Sequence, residues 1–284
     1  MAVVFAFCCL ACSACNDFVF KLFARKLRSR GIFVFGVGVV WSLMGWLFLK
    51  DKCGVWEATL LWGIVSGFFS VTGNLLLIEA MGLQSAGLCA TIYRLNLALV
   101  VPGAALLFHE VHPWYQYIGI AAAIGAVLLF LPGSGNSGEA AKKSYLGIVL
   151  VIIAAVLRAG MGLSYKYGFN LGASPNGVNV INGLCWVVGG IVYYLLKERK
   201  MSVREAFSPK VFNYGALSGL LVFGIVFFMS QSVNLGDAGI VLPIAQMSFV
   251  LTFILSVLFL HEKFTLCKVL AISSGAAALL LLSI

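Results

Sequence analysis

Apolar residues run through this chain in ten blocks of 18 to 23 residues, at 2–24, 32–49, 58–80, 86–108, 114–131, 145–166, 176–196, 212–234, 238–260 and 265–283. A run of about 20 apolar residues is what a helix needs to cross about 30 Å of hydrocarbon. The pattern therefore predicts an all-α integral membrane protein with ten transmembrane helices. The connections are short. Gly82-Leu-Gln-Ser85 and Asn234-Leu-Gly-Asp237 read as hairpin turns between antiparallel helices. The longest polar stretch, Pro132 to Ser144, contains Gly133-Ser-Gly-Asn-Ser-Gly138 and reads as a flexible linker. It divides the chain into 1–131, the linker 132–144, and 145–284.

The two halves resemble each other. Residue n placed over n+152 aligns 81–110 with 233–262 without a gap, and eight of the thirty positions are identical, including Ala86/Ala238, Gly87/Gly239, His109/His261 and Glu110/Glu262. A weaker match at offset 145 sets Lys21 over Lys166. Five helices per half is an odd number, so the second half must enter the membrane in the opposite sense. Inverted repeats of this kind belong to secondary transporters, with the solute site near the midplane where the halves meet.

Composition agrees with the pattern. Of 284 residues 62% are hydrophobic and 10% charged, against about 25% charged in a soluble domain. A soluble enzyme, a secreted disulfide scaffold and a disordered chain are excluded. The net charge of +9 does not point to nucleic acid, because the basic residues cluster between apolar blocks, as in Arg25, Lys26, Arg28 and Arg30, and in Lys197, Arg199, Lys200 and Arg204. Counted by side, fourteen Lys and Arg lie with loops 1–2 and 7–8 and three lie opposite. The excess makes the first side cytoplasmic and puts both termini outside. The first block has no basic n-region and no A-x-A-like end, so it is expected to be a retained span rather than a signal peptide.

Several further motifs reduce to packing. Cys8, Cys12 and Cys15 share a helical face, and Cys12-x-x-Cys15 has no second pair to complete a zinc site. His109-Glu-Val-His112 is not HExxH, because position 113 is proline. Glu110 and Glu262 are expected to start the helices that follow them, where a carboxylate meets the positive end of the dipole. Gly119-x-x-x-Ala123 and Gly275-Ala-Ala-Ala278 provide small faces for close helix packing, within a monomer or in a homodimer. No Walker loop, no GxGxxG ahead of a helix and no nucleophile beside a spaced His is present in the sequence. The reading is thus not an enzyme, with no cofactor and no metal, and any uphill transport would draw on a gradient.

The aligned residues also carry a resemblance. Ala80-Met-Gly-Leu-Gln-Ser-Ala-Gly87, Ile92-Tyr-Arg, Leu107-Phe-His-Glu110, Gly119 and Gly125 resemble the second part of an EamA domain, the repeat unit of the drug/metabolite transporter superfamily. Ser232-Val-Asn-Leu-Gly-Asp-Ala-Gly239 through Leu260-His-Glu262 and Gly275 resemble the same unit again, and Asn16 through Lys21 resembles the end of the family's first helix. The resemblance implies ten helices as two EamA repeats, alternating access, and a central cavity built from both halves. Members move amino acids, sugars, drugs, choline, nucleotide precursors or lipid-linked groups. The resemblance also implies cytoplasmic termini, opposite to the charge count.

Within this frame, Arg94 lies about 12 Å into its span, where a guanidinium is costly unless it meets water or a partner. It is expected to face the cavity and hold a carboxylate or phosphate, with Tyr93 and Asn96 beside it and its repeat mate Gln246 donating from the other half. The alternative is an ion pair with Glu79 or Asp17. Arg158 is a second cation at depth. Tyr165, Trp41 and Trp186 are candidates to line the pocket. Glu79 and Asp17 are candidates to carry a coupling proton, and Pro102 and Pro243 to permit bending during gating. The expected function is transport of a carboxylate-bearing or zwitterionic small solute in a bacterial inner membrane. The alternatives are a cationic solute such as choline, export of drugs, and an integral-membrane lipid-processing enzyme.

Overall fold

The computed structural model describes residues 1–48, 55–109, 111, 113–130, 139–236, 238–262 and 265–283. They form helices and turns, with no strand among them. The helices are α1 (Ala2–Ala24), α2 (Arg30–Phe48), α3 (Trp56–Leu83), α4 (Ala86–Arg94), α5 (Leu97–Phe108), α6 (Trp114–Leu129), α7 (Glu139–Asn170), α8 (Pro175–Tyr193), α9 (Val203–Ala206), α10 (Pro209–Leu235), α11 (Ala238–Gln246), α12 (Ser248–Leu260) and α13 (Leu266–Ser283). A π-helical turn, Tyr194–Glu198, extends α8. Taking α4 with α5 and α11 with α12, nine stretches among the described residues are long and apolar enough to cross a membrane. α6, with 16 residues, is a shorter tenth. The chain is a multi-pass membrane protein. α7 starts at Glu139, inside the stretch expected to be linker; residues 131–138 lie outside the described residues.

Local chemistry sets the helix ends. Ser85 caps α4 by accepting from the Leu88 N–H, and Ser174 caps α8 by accepting from the Gly177 N–H, with Pro175 at the first helical position. His109 and His261 end α5 and α12 in the left-handed region, at φ 54° and 53°. That conformation costs a non-glycine residue about 1–2 kcal/mol. It gives both copies of the His-Glu motif the same local role.

The helices pack in matched sets. α3 lies on α7 and α8, and α10 lies on α1 and α2. α2 lies on α8, and α6 on α13. Small residues bring the axes close. A Cβ on Gly38 would stand 2.6 Å from the Val187 nitrogen, and one on Gly190 would stand 2.5 Å from the Phe35 nitrogen. Gly119 of α6 faces α13, where a Cβ on it would stand 2.9 Å from Leu282. Gly119 is therefore covered within the chain. Gly275 faces α4 instead, against Thr91.

Candidate solute site

The sequence pattern runs unbroken through 86–108 and 238–260, but the structure interrupts both spans. α4 gives way to α5 at Leu95-Asn96, and α11 to α12 at Met247. These places correspond at offset 152. At each turn one N–H is shared between a four-residue and a three-residue bond: Leu95 N–H donates to the Thr91 and Ile92 carbonyls at 3.1 and 3.2 Å, and Met247 N–H to the Pro243 and Ile244 carbonyls at 3.1 and 3.2 Å. In the second half Pro243 sits four residues before the turn. Its counterpart is Thr91, whose hydroxyl donates to the Gly87 carbonyl at 2.7 Å. Pro102 lies inside α5, away from either interruption.

Asn96 serves the break itself. With its amide nitrogen turned toward the chain, it donates to the carbonyls of Tyr93 and Arg94 at 3.2 and 3.1 Å. These are acceptors that the end of α4 would leave open.

Arg94, the last residue of α4, is buried and meets Asp17 of α1, with Nη2 3.3 Å from Oδ2. Of the two carboxylates weighed for this pair, Asp17 is the partner. Glu79 is at one end of the bundle, paired with Arg30 and accepting from the Tyr193 hydroxyl. The Thr252 hydroxyl of α12 stands 3.5 Å from the same Asp17 oxygen. Beside Asp17, Asn16 accepts from the Ser218 hydroxyl of α10 at 2.6 Å.

Arg158 of α7 reaches the same tyrosine. Its guanidinium carbon lies 5.4 Å from the centre of the Tyr93 ring, and that of Arg94 lies 6.0 Å from it. One aromatic ring thus stands near two guanidinium groups, within the range of cation–π attraction. Among the described residues no carboxylate lies within 4 Å of Arg158. The cluster sets two guanidinium groups against one carboxyl group. Tyr93 Oη and Arg94 Nε are buried without a partner, as is Ser248 Oγ at the start of α12, one turn before Thr252. Gln246, the mate of Arg94, is half-buried at the end of α11.

A second polar group joins α3, α7 and α8. Ser66 donates to Asn182 Oδ1 at 2.9 Å, and Asn182 donates to the Tyr165 hydroxyl. Trp186 donates to Ser70 at 2.9 Å. Trp41 and Trp186 meet edge to face, with ring centres 5.8 Å apart, and both are buried. These two indoles pack between helices. Tyr165 shares a face of α7 with Arg158, two turns away.

One end of the bundle, the end carrying the basic loops, is closed. Every residue of α4 is buried. Lys21 donates to the Met81 carbonyl at 2.7 Å and to the Gln84 carbonyl, holding the C-terminal end of α3. Its Nζ lies 4.0 Å from Glu262. Glu262 in turn accepts from the Ala86 N–H at 2.9 Å. Glu262 therefore meets the N-terminus of α4, not of α13 as its sequence position suggested. A dipole recruits whichever carboxylate the tertiary fold places there. Glu110 lies outside the described residues. Glu198, the last residue of the π turn, accepts from Ser29 Oγ at 2.6 Å and from the N–H groups of Arg30 and Gly31 at 2.8 and 3.1 Å, capping α2. Toward the other end the packing loosens: residues 221–230 of α10 are all at least partly exposed.

Of the residues singled out in the sequence, the fold brings Asp17, Tyr93, Arg94 and Arg158 together. Thr252, Ser248, Ser66 and Asn182 were missed. The signal for the hydroxyls was a spacing of four: Ser66, Ser70 and Asn74 on α3, and Ser248, Thr252 and Ser256 on α12, all buried; Asn182 on α8 had no such mark. Polar side chains at i, i+4 and i+8 in an apolar span mark one inward face.

Residues 145–284 match the model of the EamA-like transporter family. The second half of the chain belongs to that family, and with it to the drug/metabolite transporter superfamily. EamA members are membrane transporters of small solutes rather than enzymes. A solved structure described as "Crystal structure of protein" shares 14% identity with the chain at a TM-score of 0.65, over 99% of this chain and 98% of the other. That likeness extends to the fold alone. No curated protein matches the sequence.

Proposed function

We propose that this EamA protein is a secondary transporter of the bacterial inner membrane, built as two inverted five-helix repeats, 1–131 and 145–284. It moves a carboxylate-bearing or zwitterionic, amino-acid-like solute by alternating access. The observation that carries the reading is the cluster at the first helix interruption, where two guanidiniums flank Tyr93 and one aspartate offsets only one of them. One anionic group completes the balance. Tyr93 Oη, Arg94 Nε and Ser248 Oγ supply unused polar atoms around it. Gln246 approaches from the other half.

In this reading the solute carboxylate engages Arg158 and competes with Asp17 for Arg94. Asp17, once released, is free to take a proton. The matched helix packing and the paired interruptions support the inverted repeat. The closed basic end and the looser opposite end correspond to one side of the alternation. Opening the closed side separates Lys21 from Glu262, and the interruptions at Leu95 and Met247 provide the bends. A cationic solute would require both arginines to be neutralised, and Arg158 has no carboxylate partner among the described residues.

Proteoliposomes loaded with amino acids and organic acids test this reading. Arg158→Ala and Arg94→Ala abolish uptake of the transported solute, while helical content and monodispersity in detergent are retained. Unchanged transport kinetics in both variants defeats it.

A further inference from the structure

A cavity of about 220 Å³ opens on the flank of the bundle between the α4–α5 turn, α6 and α7. It is lined by apolar side chains, among them Ile92, Leu95, Leu99, Ile124, Leu128 and Ile152. The last four are exposed, so the mouth faces the belt that meets hydrocarbon. The lining offers a polar solute nothing to bond.

α7 connects this crevice to the basic end of the bundle. Lys142, Tyr145, Val149 and Ile152 follow one another at spacings of three and four and so share one face. Lys142 and Tyr145 are exposed. From Lys142 to Ile152 is ten residues, about 15 Å of helix rise, half of a hydrocarbon core of about 30 Å. The face thus runs from a cation at headgroup level, past an aromatic ring of the kind that favours the interface, to an apolar slot at acyl depth.

We propose that this crevice binds one acyl chain of an anionic phospholipid whose phosphate is held by Lys142. The chain enters from the leaflet on the basic side and lies against Leu95, at the turn where α4 gives way to α5. The proposal is independent of which solute the protein moves.

Native mass spectrometry of the purified protein, titrated with dioleoyl phosphatidylglycerol or dioleoyl phosphatidylcholine, tests it. The wild type binds one phosphatidylglycerol in preference to phosphatidylcholine. Lys142→Ala weakens phosphatidylglycerol about fivefold and phosphatidylcholine, whose phosphate is offset by its own choline, by less, so that the preference is lost. Ala155→Leu and Ala98→Leu, which fill the crevice from two walls, weaken both lipids. A Leu128→Trp reporter at the exposed mouth gives a readout without filling it, and brominated phosphatidylglycerol quenches it more than brominated phosphatidylcholine. Equal quenching by the two lipids overturns the proposal. So does a phosphatidylglycerol preference that survives Lys142→Ala, or binding unaffected by a folded crevice-filling variant.

Discussion

Neutralising Asp17 is the sharpest perturbation of the cluster. In Asp17→Asn, Arg94 loses its carboxylate but stays buried, with Arg158 near the same tyrosine ring. Removing one partner of a buried pair costs about 3–5 kcal/mol, because the remaining charge keeps its desolvation penalty. The asparagine oxygen still accepts from the guanidinium, and a hydrogen bond to a charged group returns part of that. A net loss of about 3 kcal/mol follows. At about 2–4 °C per kcal/mol for a chain of this size, the melting temperature falls by about 6–12 °C. Asp17→Asn with Arg94→Gln removes both charges and recovers at least half of the loss, a coupling that a double-mutant cycle reads directly. The assay is thermal unfolding in detergent, repeated with the transported solute. If a solute carboxylate replaces Asp17 at Arg94, the solute raises the melting temperature of Asp17→Asn more than that of the wild type. A single variant within about 1 °C of the wild type, or strictly additive singles, would refute the claim that this pair is buried and mutually dependent.

Other expectations follow from the closed end. Glu262→Gln removes the charge that faces Lys21 and weakens the hold on the Ala86 N–H; maleimide labelling of a Ser85→Cys reporter rises roughly tenfold, in line with a charged hydrogen bond of about 1.5 kcal/mol. Unchanged labelling would remove this contact from the seal. Glu198→Ala uncaps α2 and lowers stability by about 1–2 kcal/mol, read as a drop of a few degrees in melting temperature. His261→Gly relieves a left-handed non-glycine residue and raises the melting temperature by about 2–4 °C, whereas a decrease would show that the imidazole contributes more than its backbone strain costs.

Much of the fold was legible from residue order. Block length located the spans, the hairpin at 82–85 fell where the turn lies, and Arg94 and Arg158 announced themselves as charges where charge is expensive. Less of the cluster was legible. Depth along a span follows from counting residues, but the partner across the bundle does not. Asp17 and Glu79 were equal candidates for Arg94 until α1 and α4 were seen side by side. Asn96 looked like a solute ligand, yet its amide is taken up by the carbonyls of the broken turn. The interruptions themselves left no mark at Leu95 or Met247, since neither residue is a glycine or proline, and both fit an unbroken apolar helix.

The sequence alone settled that this chain lives in a bilayer, because no soluble fold covers so much apolar side chain. It also carried a register shared by 81–110 and 233–262 at a fixed offset, the ground on which a repeat is expected. Tertiary structure decided which distant groups meet: Glu262 with the start of α4, Glu198 with the start of α2, two guanidiniums around one tyrosine. Unsatisfied helix ends and buried charges take the nearest complement in space, and nearness between helices far apart in the chain is a property of packing.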